Sequence, residues 1–139
     1  MPAIIEAVNR QRKMKIDTKA WESFAEKAAA AIGNGGSTAT IAFVSDKAIR
    51  QLNHQFRNVD KATDVLSFPA DETEKLNLGD IAISVETAAR QAKENGLTFD
   101  EEVAQLILHG LLHLSGYDHE TDNGEMNRLE VRLRKKLGI

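Results

Sequence analysis

Three of the four histidines in the chain lie within the eleven residues HGLLHLSGYDH, which run from position 109 to position 119. His109 and His113 are four positions apart, so on an α-helix both imidazoles leave the same face about one turn apart. Two rings placed in this way can bind one metal ion through nitrogens at about 2.0–2.1 Å. The pair therefore predicts a helix that presents two metal ligands.

Gly116 and His119 extend this pattern. A glycine at position 116 can adopt the left-handed conformation that ends a helix, and the chain can then turn back toward the first two rings. Three protein ligands with one open coordination position are typical of a catalytic zinc site. We expect one zinc-like divalent ion per chain on His109, His113 and His119. Asp118 is predicted either to orient a ligand ring or to be a solvated loop carboxylate.

The spacing H-x3-H-x2-G-x2-H is also that of the metzincin proteases. Those enzymes place a glutamate directly after the first histidine as general base, whereas this chain has Gly110 at that position. Without a carboxylate there, peptide hydrolysis by the metzincin mechanism has no proton acceptor. A metalloprotease is therefore the weakest of the functions that the sequence suggests.

Composition and charge restrict the alternatives further. The 139 residues include no cysteine, so disulfides and thiolate ligands are excluded and a metal must be held by His, Asp or Glu. Eighteen Lys+Arg against 21 Asp+Glu give a net charge of −3, which argues against binding nucleic acid through bulk charge alone. No segment has the pattern of a signal peptide or of a membrane span. We expect a soluble cytoplasmic protein with no membrane association.

Hydrophobic spacing and capping residues predict the elements that must position the histidines. The predicted strands cover residues 3–9, 38–45, 64–69 and 79–84, and the predicted helices cover 17–33, 46–56, 85–96, 98–116 and 120–139. An acidic loop is predicted for residues 70–78. With no repeat or linker in the sequence, we predict one α+β domain over residues 1–139, with a small mixed four-stranded sheet packed with about five helices.

Three motifs together resemble a known family. The histidine motif, NHQFRNVDKATDVLSFP at 53–69 and LGDIAIS at 78–84 are similar to the YbeY family of metal-dependent endoribonucleases. The resemblance covers most of the chain, and the histidine motif combined with TDVLSF is specific. It implies a zinc-dependent hydrolase that cleaves single-stranded rRNA, helps to form the 3′ end of small-subunit rRNA and takes part in ribosome quality control. It also implies small-subunit ribosomal proteins and an assembly GTPase as partners.

The same resemblance gives Arg57 a functional role, as a catalytic and substrate-binding residue. A guanidinium offers a planar pair of donors to phosphate oxygens and, together with a metal, stabilises the charge of a phosphorane-like transition state. Ser67 is predicted to line the substrate cleft through its main chain or its hydroxyl. Asp64 is predicted to cap a strand, to pair with Arg57 or to orient a ligand, and we favour the structural role.

Two functions remain open at this point. The leading one is an endoribonuclease, and the alternative is a metal-stabilised ribosome-assembly or RNA-binding factor with little intrinsic cleavage, since no general base stands beside the histidines. Two routes of cleavage also remain open. A water activated by the metal would leave a 5′-phosphate and a 3′-hydroxyl, whereas attack by the 2′-hydroxyl would leave a 2′,3′-cyclic phosphate. We favour the water route, with Arg57 holding the phosphate.

Overall fold

The computed structural model describes residues 2–118 and 120–139. Within these residues it contains four strands and five helices, and it confirms the predicted α+β class. In chain order the elements are β1 (Ile4–Asn9), α1 (Thr18–Ile32), β2 (Thr38–Val44), α2 (Asp46–Arg57), β3 (Val65–Pro69), β4 (Asn77–Ser84), α3 (Val85–Glu94), α4 (Phe99–Leu114) and α5 (Glu125–Leu137).

The four strands form one mixed sheet in the order β1-β2-β4-β3. The β1–β2 and β2–β4 pairs are parallel, whereas β3 runs antiparallel to β4. Along the last pair, Val65 lies opposite Ile83 and Ser67 opposite Ile81. The strand β3 is therefore an edge strand, which is a position where its final residue, Pro69, is tolerated.

Alternating side chains of the strands build a core on each face of the sheet. On one face, the side chains of Ile41, Phe43, Ile81 and Ile83 pack in a cluster with residues of α1, α4 and α5. On the other face, a smaller cluster packs around Ile49 of α2. The helix α4 is apolar on most of its surface, with five fully buried side chains, those of Val103, Ile107, Leu108, Leu111 and Leu112. Such a helix belongs in the interior of a domain.

Both ends of α4 are fixed by local hydrogen bonds. At its start, Thr98 and Glu101 form a capping box in which each side chain accepts from the other residue's main-chain N–H. At its end, Gly116 has φ +97°, and the N–H of Tyr117 donates to the Leu112 carbonyl at 3.1 Å. The predicted left-handed glycine after the helix is thus confirmed. Because α4 is held at both ends, its side chains project from a rigid support.

Two predicted boundaries are wrong. The strand β4 begins at Asn77 and not at 79, because Asn77 pairs with Thr38 of β2, so the predicted loop 70–78 is shorter. The last helix begins at Glu125 and not at 120, because the Asp122 carboxylate accepts from the N–H groups of Gly124 and Met126 and holds the chain in a turn. None of the helices described in residues 2–118 and 120–139 is long and apolar enough to cross a bilayer.

Candidate active site

A cleft of about 920 Å³ opens beside β3 and α4. Six of the seven predicted site residues line it, namely Arg57, Asp64, Ser67, His109, His113 and Asp118. The seventh, His119, lies outside the described residues. Residues that are 61 positions apart in the sequence, from Arg57 to Asp118, therefore meet in one cavity.

His109 and His113 leave the same face of α4, as the four-residue spacing predicts. Their ring centroids are 4.6 Å apart, and the two Nε2 atoms are separated by 3.0 Å. Both residues occupy the cleft side of a helix that is otherwise buried. The helix thus brings two imidazole nitrogens to one point on the cleft wall.

The other nitrogen of each ring faces a hydrogen-bond acceptor. His113 Nδ1 is 3.0 Å from the main-chain carbonyl of Tyr117, and His109 Nδ1 is 2.8 Å from Glu130 Oε1. A carbonyl cannot donate, and the Glu130 carboxylate also accepts from Arg134 at 3.3 Å. Each neutral ring therefore carries its hydrogen on Nδ1 and a lone pair on Nε2.

This arrangement fits a divalent cation. Two Nε2 atoms at 3.0 Å are stabilised either by a shared proton, in an N–H···N hydrogen bond, or by one cation that binds both. Two nitrogens that are each about 2.0–2.1 Å from a tetrahedral ion are about 3.3 Å apart, close to the separation found here. Among the described residues, no group of three His, Cys, Asp or Glu side chains forms a metal site. The pair supplies two donors, and the predicted third donor, His119, lies outside that part of the chain.

Glu130 is a site residue that the sequence interpretation missed. Its side chain is only 7% exposed, and its two oxygens contact His109 and Arg134. A buried carboxylate needs such partners, because desolvation of an unpaired charge is costly. The sequence did contain a signal for Glu130, because it lies at helical spacing from Met126 and Leu133, the other two buried residues of α5. Arg134, the partner of Glu130, also lines the cleft.

Gly110 follows His109 but faces the sheet and not the cleft. A Cβ at this position would lie 2.9 Å from Cδ1 and 3.1 Å from Cγ2 of Ile81. The glycine lets α4 pack closely on β4, and a glutamate side chain has no room there. The position that carries the general base in metzincins is thus structural in this protein, which argues against the metalloprotease hypothesis.

Arg57 approaches the cleft from the last turn of α2. Its Nη1 is 3.4 Å from the amide oxygen of Asn53, a residue that is only 2% exposed. The Asn53 amide nitrogen donates in turn to the Lys61 carbonyl at 2.9 Å. The Asn53 side chain therefore contacts both Arg57 and the loop that follows α2. The Arg57 side chain nevertheless remains exposed to the cleft.

The three remaining site residues make local contacts. Asp64 Oδ1 accepts from the N–H of Val65 at 2.7 Å and from the Thr63 hydroxyl at 3.2 Å. The Ser67 hydroxyl donates to the Gly110 carbonyl at 3.3 Å, and Asp118 accepts from the N–H of Glu120 at 2.9 Å. The bonds of Asp64 and Asp118 organise turns at the cleft wall, and the Ser67 bond ties β3 to α4.

Comparison with known proteins identifies the family. The family model described as Endoribonuclease YbeY matches residues 6–138. The chain belongs to the YbeY family. The YbeY resemblance inferred from the three motifs is thereby confirmed.

Individual YbeY relatives cover most of the chain. Endoribonuclease YbeY of Nautilia profundicola is 56% identical over 94 residues, which is 68% of each chain. The Geobacter metallireducens protein of the same name is 38% identical over 141 residues and covers 97% of this chain and 94% of its own. The solution structure of TM1509 from Thermotoga maritima matches 96% of this chain and 89% of its own, with a TM-score of 0.68 at 29% identity. The YbeY relatives and the solved fold therefore extend across both the cleft and the sheet.

Proposed function

We propose that the protein is a zinc-dependent endoribonuclease that cleaves single-stranded rRNA in the cytoplasm. Its proposed roles are maturation of the 3′ end of small-subunit rRNA and ribosome quality control. The observation that carries the proposal is the convergence of two imidazole Nε2 atoms, 3.0 Å apart, in a cleft that also contains Arg57. A cation site beside a guanidinium suits a reaction in which a phosphodiester gains negative charge.

In this proposal His109 and His113 hold one zinc ion, and His119 is the expected third ligand. When bound, the ion supplies Lewis-acid stabilisation of phosphate charge and activates water. Glu130 and the Tyr117 carbonyl keep the ring hydrogens on Nδ1, so that both Nε2 atoms face the same point. This support from a carboxylate and a carbonyl is typical of histidines that bind metals.

Arg57 is proposed to hold the scissile phosphate. Its guanidinium is exposed at the cleft wall, and it bonds only weakly, at 3.4 Å, to Asn53. Donors of this kind bind two phosphate oxygens at once and stabilise the additional charge of the transition state. Arg57 thus positions the substrate and also contributes to catalysis.

The charge of the cleft favours substrate recognition that is assisted by partners. Arg57 and Arg134 line it together with six carboxylates, those of Asp64, Glu94, Glu102, Asp118, Glu120 and Glu130. Tight autonomous binding of RNA depends on many cation–phosphate contacts, which such a cleft lacks. Small-subunit ribosomal proteins and an assembly GTPase are therefore proposed to bring the rRNA to the site.

The decisive experiment compares Arg57→Ala with Arg50→Ala on a single-stranded RNA in the presence of zinc. Both arginines lie on α2, but Arg50 pairs with Asp60 outside the cleft at 2.8 Å. We expect Arg57→Ala to lower kcat by about 100-fold or more, the usual loss when one transition-state donor is removed. Zinc content and thermal stability should be unchanged, and Arg50→Ala should cleave as wild type does. Equal activity of the two variants would contradict the proposed role of Arg57.

The alternative is a metal-stabilised ribosome-assembly or RNA-binding factor with little intrinsic cleavage. Gly110 favours it, because the position next to His109 holds no proton acceptor and has no space for one. Retention of single-stranded RNA by zinc-loaded protein, without any cleavage product, would support this alternative. If products form, a 2′,3′-cyclic phosphate terminus would indicate attack by the 2′-hydroxyl, and a 5′-phosphate would indicate attack by water.

A further inference from the structure

The outer edge of β3 carries main-chain groups that point away from the sheet. Just beyond the two ends of the strand, Ser84 N–H donates to the Asp64 carbonyl at 2.9 Å, and Ala70 N–H donates to the Leu78 carbonyl at 3.1 Å. Hydrogen-bonded positions alternate along an antiparallel pair, so residues 64, 66, 68 and 70 face β4. The main-chain groups of the residues between them, at 65, 67 and 69, therefore face outward.

Only one of these outward positions offers a hydrogen-bond donor to the cleft. Val65 donates its N–H to Asp64 Oδ1 at 2.7 Å, and Pro69 has no N–H. For the N–H of Ser67, no acceptor lies within hydrogen-bond distance among residues 2–118 and 120–139. The carbonyls of Val65 and Ser67 flank this N–H on the same edge. The edge therefore presents one donor between two acceptors.

This donor lies close to the histidine pair. The Ser67 hydroxyl donates to the carbonyl of Gly110, the residue after His109, at 3.3 Å. Val65, Ser67 and Pro69 all line the cleft that contains both histidines. A group bound at the edge of β3 would therefore lie beside the proposed zinc ion.

The order of acceptor, donor and acceptor selects the chemistry of the bound group. Two carbonyl oxygens beside a single N–H repel a phosphate. An added peptide strand needs several alternating donors and acceptors, but this edge provides one donor before Pro69 ends it. A nucleobase carries adjacent donor and acceptor groups on its Watson–Crick edge, which match one N–H and a neighbouring carbonyl.

We propose that the free edge of β3 at Ser67 binds the Watson–Crick edge of one unpaired nucleobase of the RNA, beside the histidine pair. In a duplex that edge is already paired with the other strand, so the contact requires a single strand. The inference rests on the proposed function and specifies how the same cleft would select single-stranded RNA.

The first test compares Ser67→Pro with Ser67→Ala. Proline removes the outward N–H without interrupting a bond to β4, and Pro69 already occupies the next outward position. Alanine removes the hydroxyl, as proline does, but keeps the N–H, so the pair isolates the main-chain donor. With zinc and a single-stranded oligoadenylate, we expect kcat/KM of Ser67→Pro to lie at least about tenfold below that of Ser67→Ala. Equal values, with equal zinc content, would overturn the contact.

A second test begins with wild-type protein, and its first measurement does not depend on the folding of Ser67→Pro. A single abasic nucleotide is moved along the RNA, and we expect one position to lower kcat/KM by about tenfold. In Ser67→Pro that loss should shrink to less than about threefold. If no abasic position matters, or if the loss persists in Ser67→Pro, the proposal fails. Wild-type protein that cleaves no single-stranded RNA would overturn the proposed function as well, whereas the other outcomes overturn this inference alone.

Discussion

Glu130 shows how a single side chain determines what the histidines can bind. Its carboxylate accepts from His109 Nδ1 at 2.8 Å, which fixes the orientation of the ring and leaves Nε2 facing His113. Without that acceptor, His109 can rotate or carry its hydrogen on Nε2, where it would block a metal. The geometry of the pair therefore depends on a residue of another helix.

We predict that Glu130→Gln lowers the affinity for zinc by about 10- to 100-fold, as is usual when a group that supports a metal ligand is changed. Competition with a chromogenic chelator would measure the dissociation constant directly. Glu125→Gln is the matched control, because Glu125 lies on the same helix with an exposed side chain and should bind zinc as wild type does. Equal zinc affinity in both variants would show that the bond from Glu130 to His109 does not support metal binding.

At the scale of residues, the sequence predicts only those partners that share an element or a motif. His109 and His113 could be paired because helical geometry alone places them together. Glu130 is 21 positions from His109 in the sequence, and only the packing of α5 against α4 brings the two together. A buried carboxylate on an apolar helix face indicates a partner but does not identify it.

Among the elements, the hairpin of β3 and β4 depends on a glycine. Gly79 has φ +126°, and a Cβ there would lie 2.2 Å from the carbonyl oxygen of Phe68. We predict that Gly79→Ala lowers the free energy of unfolding by more than about 3 kcal/mol, through backbone strain and a main-chain clash. Gly33→Ala is the control, since Gly33 has φ +102° but open space around it, and it should cost about 1 kcal/mol. Urea denaturation of both variants would measure the two losses of unfolding free energy. Gly33→Ala reports the backbone strain alone, so equal losses in the two variants would contradict the predicted clash at Gly79.

The starts of α2 and α3 are joined by a charged cluster around Asp46. Burial raises the pKa of Asp46, but hydrogen bonds from Ser84, Thr87 and Arg90 outweigh it, so the pKa lies below its usual value. A carboxyl whose pKa is lower in the folded state stabilises the protein above its unfolded pKa of about 3.9. That contribution is lost as the pH falls through the folded pKa.

We therefore predict that Asp46→Asn is less stable than wild type at neutral pH and that the difference shrinks below about pH 4. Urea denaturation at about pH 7 and at about pH 3 would measure the two differences. The difference between wild type and variant should shrink as the pH falls through the folded pKa, because the carboxyl then becomes protonated in both states of the wild-type protein. A difference that is independent of pH would show that the loss comes from packing and not from charge.

The two errors in element boundaries have a common physical origin. Asn77 and Leu78 belong to β4 because Asn77 pairs with Thr38 and Leu78 accepts from Ala70, contacts that sequence periodicity does not contain. The start of α5 depends on the Asp122 carboxylate, which caps the main chain in competition with a helix. The long apolar helix α4 and the strands β2 and β3 were predicted closely because their own side chains determine them.

At the scale of the molecule, the cleft exists because the sheet is mixed. The strand β3 reverses direction and becomes the free edge, so that Ser67 lies beside Gly110 of α4, although 43 positions separate them in the sequence. Strand order and edge position come from long-range pairing, which composition and periodicity leave undetermined. The family resemblance, and not the residue pattern, is what assigned Arg57 to the same site as the histidines.

Metal binding to this cleft should stabilise the whole fold, because the two imidazoles meet only when α4 is formed and packed. A ligand present at about 100 times its dissociation constant adds about 2.7 kcal/mol to the stability of the folded state. For a chain of this size, that corresponds to an increase in Tm of several degrees. We predict that zinc raises the Tm of metal-free wild type, that a chelator reverses the shift, and that His113→Ala abolishes it. His54→Ala, a change at an exposed histidine of α2, should retain the full shift. An equal increase in the Tm of His113→Ala would show that zinc binds to other residues. The close approach of His109 and His113 would then require another explanation than zinc.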